Sequence, residues 1–227
     1  MYTKIDMETW HGASMYAHFN AMDMPFYSIT ATLDVSGILA LSQRCHCSFF
    51  SLCLYGIQHG INAVEAFRCR TLPDGSVVCY DYVETVYLIL LEQGELTSVR
   101  APFQTDITAF MAEQHTREQE ARARAAAFGA SYCPADERGV IFYSSIPWFS
   151  FTSMSHPLNG GSRYDSIPRL TTGKYTLQAD GTAVMPVNVH MHHGFVGGVH
   201  VAQLLAAIHA AWQALCAAPQ AVQARQG

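Results

Sequence analysis

Runs rich in β-branched and aromatic residues alternate along this chain with longer stretches of helical periodicity. That alternation limits the fold more than any other feature. The strand-like runs are Phe26–Leu33, Ser76–Val83, Val86–Leu91, Val140–Ser145, Lys174–Gln178 and Ala183–His190. Between them, Phe50–Phe67 is largely apolar. A helix is predicted from Asp106 through Phe110 and Glu113 into the Ala-rich stretch ending near Ala127. Val199–Leu215 places Val201, Leu204, Leu205, Ile208, Trp212 and Leu215 on one helical face. Strands separated by helices predict an α/β fold, a two-layer sandwich with one mixed β-sheet and helices packed on one face. Pro73-Asp74-Gly75 and Ala179-Asp180-Gly181 read as turns between strands, the second closing a hairpin.

A length of 227 residues fits one large domain or two small ones. No repeat or linker interrupts it, so residues 1–218 are expected to form a single domain and residues 219–227 a disordered tail. Only 14% of residues are charged against 50% hydrophobic, which favours a buried subunit interface. A net charge of -5 argues against a nucleic-acid partner. No run of about 20 uninterrupted apolar residues is present, so no membrane span is expected. The polar start Met1-Tyr2-Thr3-Lys4-Ile5-Asp6 carries no secretory signal. The seven cysteines are odd in number and fall within apolar stretches, as expected of free thiols in a reducing cytoplasm.

Four histidines crowd one stretch: His190, His192, His193 and His200. His190 and His192 alternate onto one strand face and could share a Zn²⁺ ion, with a third ligand from His200 or from Cys45-His46-Cys47. No recognised spacing supports that reading. Histidines satisfied by backbone partners are a second reading, favoured for His190 and His200. General base catalysis by a histidine at a strand end is a third. An imidazole near its ordinary pKa of about 6.5 takes a hydroxyl proton at neutral pH. The glycines of His193-Gly194-Phe195-Val196-Gly197-Gly198 let backbone approach a ligand closely.

Several blocks, in order, resemble the chloramphenicol acetyltransferase family over nearly the whole chain. They are Tyr2–Asp6 leading to Trp10, Asn62-Ala63-Val64-Glu65-Ala66-Phe67-Arg68, Ser144-Ser145-Ile146-Pro147-Trp148-Phe149-Ser150-Phe151, Thr171-Thr172-Gly173-Lys174-Tyr175, and Met185-Pro186 through His192-His193. The resemblance implies an acetyl-CoA-dependent O-acetyltransferase with no metal cofactor, assembled as a homotrimer with active sites at the subunit interfaces. It implies His193 as general base towards a small-molecule hydroxyl acceptor, in direct transfer without an acyl-enzyme. By the same resemblance Ser144 donates to the tetrahedral oxyanion, Thr171 assists through water, and Lys174 lies near the CoA tunnel. The acceptor pocket is expected to comprise Met22, Met24, Phe26, Thr97, Cys133, Met154 and Arg169. Without the resemblance, Ser144 is an ordinary strand serine and Lys174 a solvated charge.

The chain departs from the family pattern in two places. The family carries Asp-Gly where Gly197-Gly198 stands, and an arginine after its N-terminal tryptophan where this chain reads Trp10-His11-Gly12-Ala13-Ser14. Losing one partner of a buried pair costs about 3–5 kcal/mol, whereas losing both can be near neutral. The missing aspartate is therefore expected to be a structural support that the base can survive without. The pocket differs more. Met22, Thr97, Cys133 and Met154 stand where the family carries aromatics, and Arg169 and His156 replace aliphatic residues. An Arg169 facing the pocket would favour an anionic or strongly polar acceptor; one on the opposite face would be solvated. A different alcohol or amine acceptor, or a non-catalytic trimeric binding protein, remain the alternative readings.

Overall fold

The computed structural model describes residues 1–132, 138–158 and 165–223. Its elements are β1 (Tyr2–Lys4), α1 (Ala13–Asn20), β2 (Phe26–Asp34), α2 (Ser36–Cys45), α3 (Phe49–Ala63), a 3₁₀ turn (Glu65–Arg68), β3 (Cys69–Thr71), β4 (Val77–Tyr80), β5 (Glu84–Leu90), β6 (Leu96–Ala101), α4 (Ile107–Phe128), β7 (Val140–Ile146), β8 (Arg169–Gly173), β9 (Thr176–Leu177), β10 (Ala183–His192), α5 (Gly198–Ala217) and α6 (Gln220–Gln223). The main sheet runs β2-β10-β8-β7-β5-β6, with β9 paired to the start of β10. Strand β7 is parallel to β5 and β8, and the other pairs are antiparallel, so the sheet is mixed.

Two strand expectations are corrected. Ser76–Val83 does not join the main sheet. Its ordered part, β4, turns back through Gly75 (φ 82°) onto β3 and forms a separate sheet, β1-β4-β3. The run Lys174–Gln178 keeps only two strand residues, and the longer strand, β8, lies just before it. All five residues of β8 are buried. A strand covered on both faces shows no alternation, which hides it from a period-two search. Within the expected disordered tail, Gln220–Gln223 form α6, Val222 is buried, and Thr108 Oγ1 donates to Ala221 O at 3.0 Å; residues 224–227 lie outside the described residues.

Local chemistry sets the helix ends. Ser48 caps α3 by accepting from Ser51 N, and Asp106 caps α4 by accepting from Ala109 N at 2.8 Å. Gly129 ends α4 in the left-handed region (φ 85°), its N–H bonded to Ala125 O. Arg70 joins the two sheets. It is fully buried and donates to the carbonyls of Phe67, Cys69, Arg138 and Val140 at 2.7–2.9 Å. Burial pulls its pKa down to about 10, which still leaves it charged at neutral pH.

The helix layer centres on α3 against α5. By length and composition α5 could cross a membrane, but here Val201, Leu204, Ile208, Trp212 and Leu215 turn inward. Trp212 Nε1 donates to Leu52 O at 3.0 Å, which draws the helices together at two glycines. A Cβ at Gly56 would lie 2.1 Å from Trp212 Nε1, and one at Gly60 2.4 Å from Ile208 Cγ1. Gly56→Ala is therefore expected to destabilise the protein by about 1–3 kcal/mol through overpacking, outweighing alanine's better helix propensity. Chemical denaturation checks this; an unchanged midpoint would remove the close approach as a constraint.

Candidate active site

Strand β10 alternates in chemistry as well as direction. Met185, Val187, Val189 and Met191 enter the main hydrophobic core, while Asn188 and His190 project from the opposite face. Across the neighbouring strands Asn188 stands opposite Thr171, and Thr171 opposite Ser144, so the three form one row. His190 stands opposite Arg169, and Arg169 opposite Phe142, in the next row.

A cleft of about 290 Å³ opens beside these rows, lined by Ser144, Met154, His156, Arg169 and Phe142 among others. Thr171 is fully buried and its Oγ1 shares a hydrogen bond with His156 Nε2 at 3.3 Å. Asn188 Nδ2 donates to Thr30 Oγ1 and to Met154 O. Arg169 neither faces solvent nor offers a bare charge. Its Nη2 donates to Asp165 Oδ2 at 2.6 Å, its Nη1 donates to Ile167 O, and its guanidinium lies 5.6 Å from the Phe142 ring centre. With Asp165 neutralising it, the cleft wall is polar but balanced, which removes the reason to expect an anionic acceptor.

His193 lies elsewhere, just past the end of β10. Its backbone N–H donates to Pro25 O at 2.7 Å. Its ring is held between Phe19 of α1 (centroids 3.8 Å apart, 12° between planes) and Tyr27 of β2 (4.2 Å, 30°). Nδ1 is buried and has no hydrogen-bond partner among the described residues. The loop beyond it is ordered without a carboxylate. Gly194 N donates to His192 Nδ1, Phe195 N and Val196 N donate to His192 O, and Tyr27 Oη donates to Val196 O. At the entry to α5, Gly197 N donates to His200 Nδ1 at 3.0 Å. Gly194 is needed here, because a Cβ would sit 2.8 Å from His192 Cε1 and 3.2 Å from Tyr16 Cα.

The structure divides the expected site residues. Met22 and Met24 are exposed in the segment leading from α1 to β2, between Phe19 and Pro25, which contact His193; Phe26 stacks on His190, whose row borders the cleft. Ser144, Thr171, Met154 and Arg169 gather at the cleft. Thr97 does not line that cleft. Its neighbour Ser98 does, and strand alternation turns Thr97 away, where its hydroxyl donates to Ser131 O and accepts from Ser131 N. Cys133 lies outside the described residues. Lys174 borders a different cavity of about 210 Å³, with Phe49, Ser145, Thr172 and Tyr175. Ser145 and Thr172 point opposite to Ser144 and Thr171, so the two cavities flank the sheet on its two faces. Asp165 and Asn188 were missed by the sequence reading. The alternation Asn188, His190 on an otherwise apolar strand was the available signal for Asn188; Asp165 carries none.

The histidines of the segment play different parts. His190 Nδ1 pairs with Ser28 Oγ at 2.8 Å; burial, then His156 and Arg169, pull its pKa down to about 4. His156 is lowered by burial and Arg169, and His200 by burial and His11. As pH falls from about 6.5 towards 4, the unfolded chain takes up protons that folded His190 refuses, so stability declines across that window. His190→Gln is expected to make the fall in melting temperature between pH 6.5 and 4 shallower than in the wild type. Parallel pH profiles of the two proteins would count against a neutral, buried His190.

Comparison with known proteins follows this geometry. Residues 1–209 match the family model described as chloramphenicol acetyltransferase. Curated relatives include a chloramphenicol acetyltransferase 2 of Haemophilus influenzae, 24% identical over 90% of this chain and 93% of that protein. A chloramphenicol acetyltransferase of Campylobacter coli is 27% identical, over 90% and 95%. Among solved structures, a chloramphenicol acetyltransferase superposes with a TM-score of 0.81 at 28% identity, covering 93% of this chain and 99% of that one. A dihydrolipoamide acetyltransferase of Azotobacter vinelandii shares the fold alone, with a TM-score of 0.60 at 13% identity over 92% and 88%.

Proposed function

Because this chain belongs to the chloramphenicol acetyltransferase family, a family of acyltransferases, we propose that it transfers an acetyl group from acetyl-CoA to a small-molecule hydroxyl at sites shared between copies in a homotrimer. One observation carries this reading. His193 lies five residues beyond Asn188 along β10, and Ser144 two strands across from Asn188. At about 3.3 Å per residue and 4.8 Å per strand, the two are about 19 Å apart within one chain. A base and an oxyanion donor must each reach within about 3 Å of one reacting centre. A single copy does not meet that requirement, whereas a site formed by His193 of one copy and the cleft of another can. The low charge content and the exposed Met22 and Met24 beside His193 agree with a surface covered by a second copy.

In this arrangement the acceptor hydroxyl sits between copies. Buried Nδ1 leaves Nε2 of His193 to take its proton, and the two stacked aromatic rings hold the imidazole in place. The acceptor oxygen attacks the thioester carbonyl directly. Ser144 Oγ donates to the oxyanion that forms, and Thr171 supports it through water. The tetrahedral intermediate collapses, CoA thiolate leaves, and the imidazolium returns the proton. The thioester enters on the Ser144 face of the sheet; the cavity bordered by Lys174 opens on the other face, so the Lys174 ammonium serves a CoA phosphate only where the cofactor extends past the strand ends. The acceptor itself stays open between chloramphenicol and another alcohol or amine. The Arg169–Asp165 pair and His156 on the cleft wall favour an acceptor that hydrogen-bonds rather than one that is purely aromatic.

Thiol release from acetyl-CoA across a panel of acceptors tests the activity. His193→Ala is expected to abolish turnover, and Ser144→Ala to lower kcat by about 10²–10³. Mixing the two inactive variants under conditions that exchange subunits should restore part of the activity, because some sites then combine a normal His193 with a normal Ser144. Equal rates for wild type and His193→Ala would remove His193 as base. Failure of the exchanged mixture to recover would remove the shared site.

A further inference from the structure

The small sheet assembles a second cluster of chemically capable side chains, independent of the acyl-transfer reading. Cys69 opens β3 and stands directly across from Cys79 of β4. The hairpin closes with Leu72 N donating to Ser76 O. Counting back from that hydrogen-bonded pair puts Cys69 and Cys79 at a non-hydrogen-bonded position, where facing side chains lie closest. Glu65 begins the 3₁₀ turn four residues before Cys69, which brings its carboxylate over the same pair. The two Sγ atoms and a Glu65 carboxylate oxygen all lie within 4.8 Å of one another. Among the described residues this is where three such donors converge, and the histidine segment is not.

We infer that Glu65, Cys69 and Cys79 bind one soft divalent cation, Zn²⁺ by the character of the donors. Two thiolates and a carboxylate are a zinc donor set, and tetrahedral bonds of about 2.0–2.3 Å place ligand atoms roughly 3.3–3.8 Å apart, inside the 4.8 Å that bounds these three donors. Charge agrees. Deprotonated, the three donors carry three negative charges. Arg68 Nη1 lies 3.9 Å from Cys79 Sγ, anchored to the carbonyls of Tyr80 and Asp81. With the buried Arg70, which donates to Cys69 O, two guanidiniums and one divalent ion outweigh that charge, so the anionic donors are stabilised. Access agrees as well: Glu65 is exposed and Cys79 half-buried. Glu65 and Cys69 also border a cavity of about 650 Å³ shared with Trp10, His11 and His200. That space admits a fourth, exchangeable ligand, the arrangement that separates an open zinc site from a closed structural one.

The test uses the full chain, reduced, stripped with chelator and desalted without oxygen. Cd²⁺ is titrated first, because thiolate-to-cadmium charge transfer reports sulfur ligation, and Zn²⁺ is then measured against a chromophoric chelator. One ion per chain is expected, with the charge-transfer band. Cys79→Ala, at a half-buried position that tolerates truncation, should abolish the band while circular dichroism stays native. Glu65→Gln should weaken Zn²⁺ by about tenfold or more. Cys216→Ala, on a distant helix, should leave binding intact. A folded wild type with no band would overturn the inference, as would a band that survives Cys79→Ala. Isolation of a Cys69–Cys79 disulfide that resists reduction would overturn it too.

Discussion

The ladder between β10 and β2 runs for nine residue pairs, from Val184 opposite Asp34 to His192 opposite Phe26. On its other side β10 pairs with β8 and, through β8, sets the row Asn188–Thr171–Ser144. A slip of one residue in either ladder would exchange the faces of the strand. Met185, Val187, Val189 and Met191 would leave the helix-covered core, and Asn188 and His190 would enter it without partners. The hydrophobic core therefore enforces the register, and the register decides where His193 emerges relative to Pro25, Phe19 and Tyr27.

The order of the loop after His193 follows from the same placement. This chain orders the loop with neutral contacts. His192 accepts from Gly194 N and carries the bonds from Phe195 N and Val196 N on its carbonyl, and His200 accepts from Gly197 N. Each neutral hydrogen bond contributes only about 1 kcal/mol, but none leaves a buried charge behind when its partner is lost. Imidazole acceptors must stay unprotonated to do this, and burial lowers the pKa of His200 in that direction.

Much of the secondary structure was legible in the sequence because it depends on local period and local caps. Asp106 and the Ala-rich stretch mark α4; the apolar face of Val199–Leu215 marks α5; Gly75 and Gly181 mark turns at positive φ. Fully buried β8 was not legible, since burial on both faces erases alternation. The short elements β1, β3 and α6 carry too few residues for any period to show. At the site, the blocks around Ser144, Thr171 and His193 could be picked out by resemblance. Their mutual distance could not, because it is set by pairings between segments far apart in the chain. Arg169 shows the same limit: its sequence neighbourhood says only that a charge interrupts an apolar run, while Asp165 and the Ile167 carbonyl decide that the charge is satisfied.

By itself, then, the sequence determined the class of fold, the family, and a histidine at a strand end followed by glycines. The fold class and the histidine are matters of local periodicity and residue type, and the family of residue blocks in order, all of which the chain expresses without folding. Strand pairing in the folded chain places His193 and Ser144 far apart in one copy and turns Thr97 away from the cleft. It also decided that Cys69 and Cys79 face each other under Glu65. Each depends on which strand pairs with which, and in what register, and burial of the whole core settles that choice.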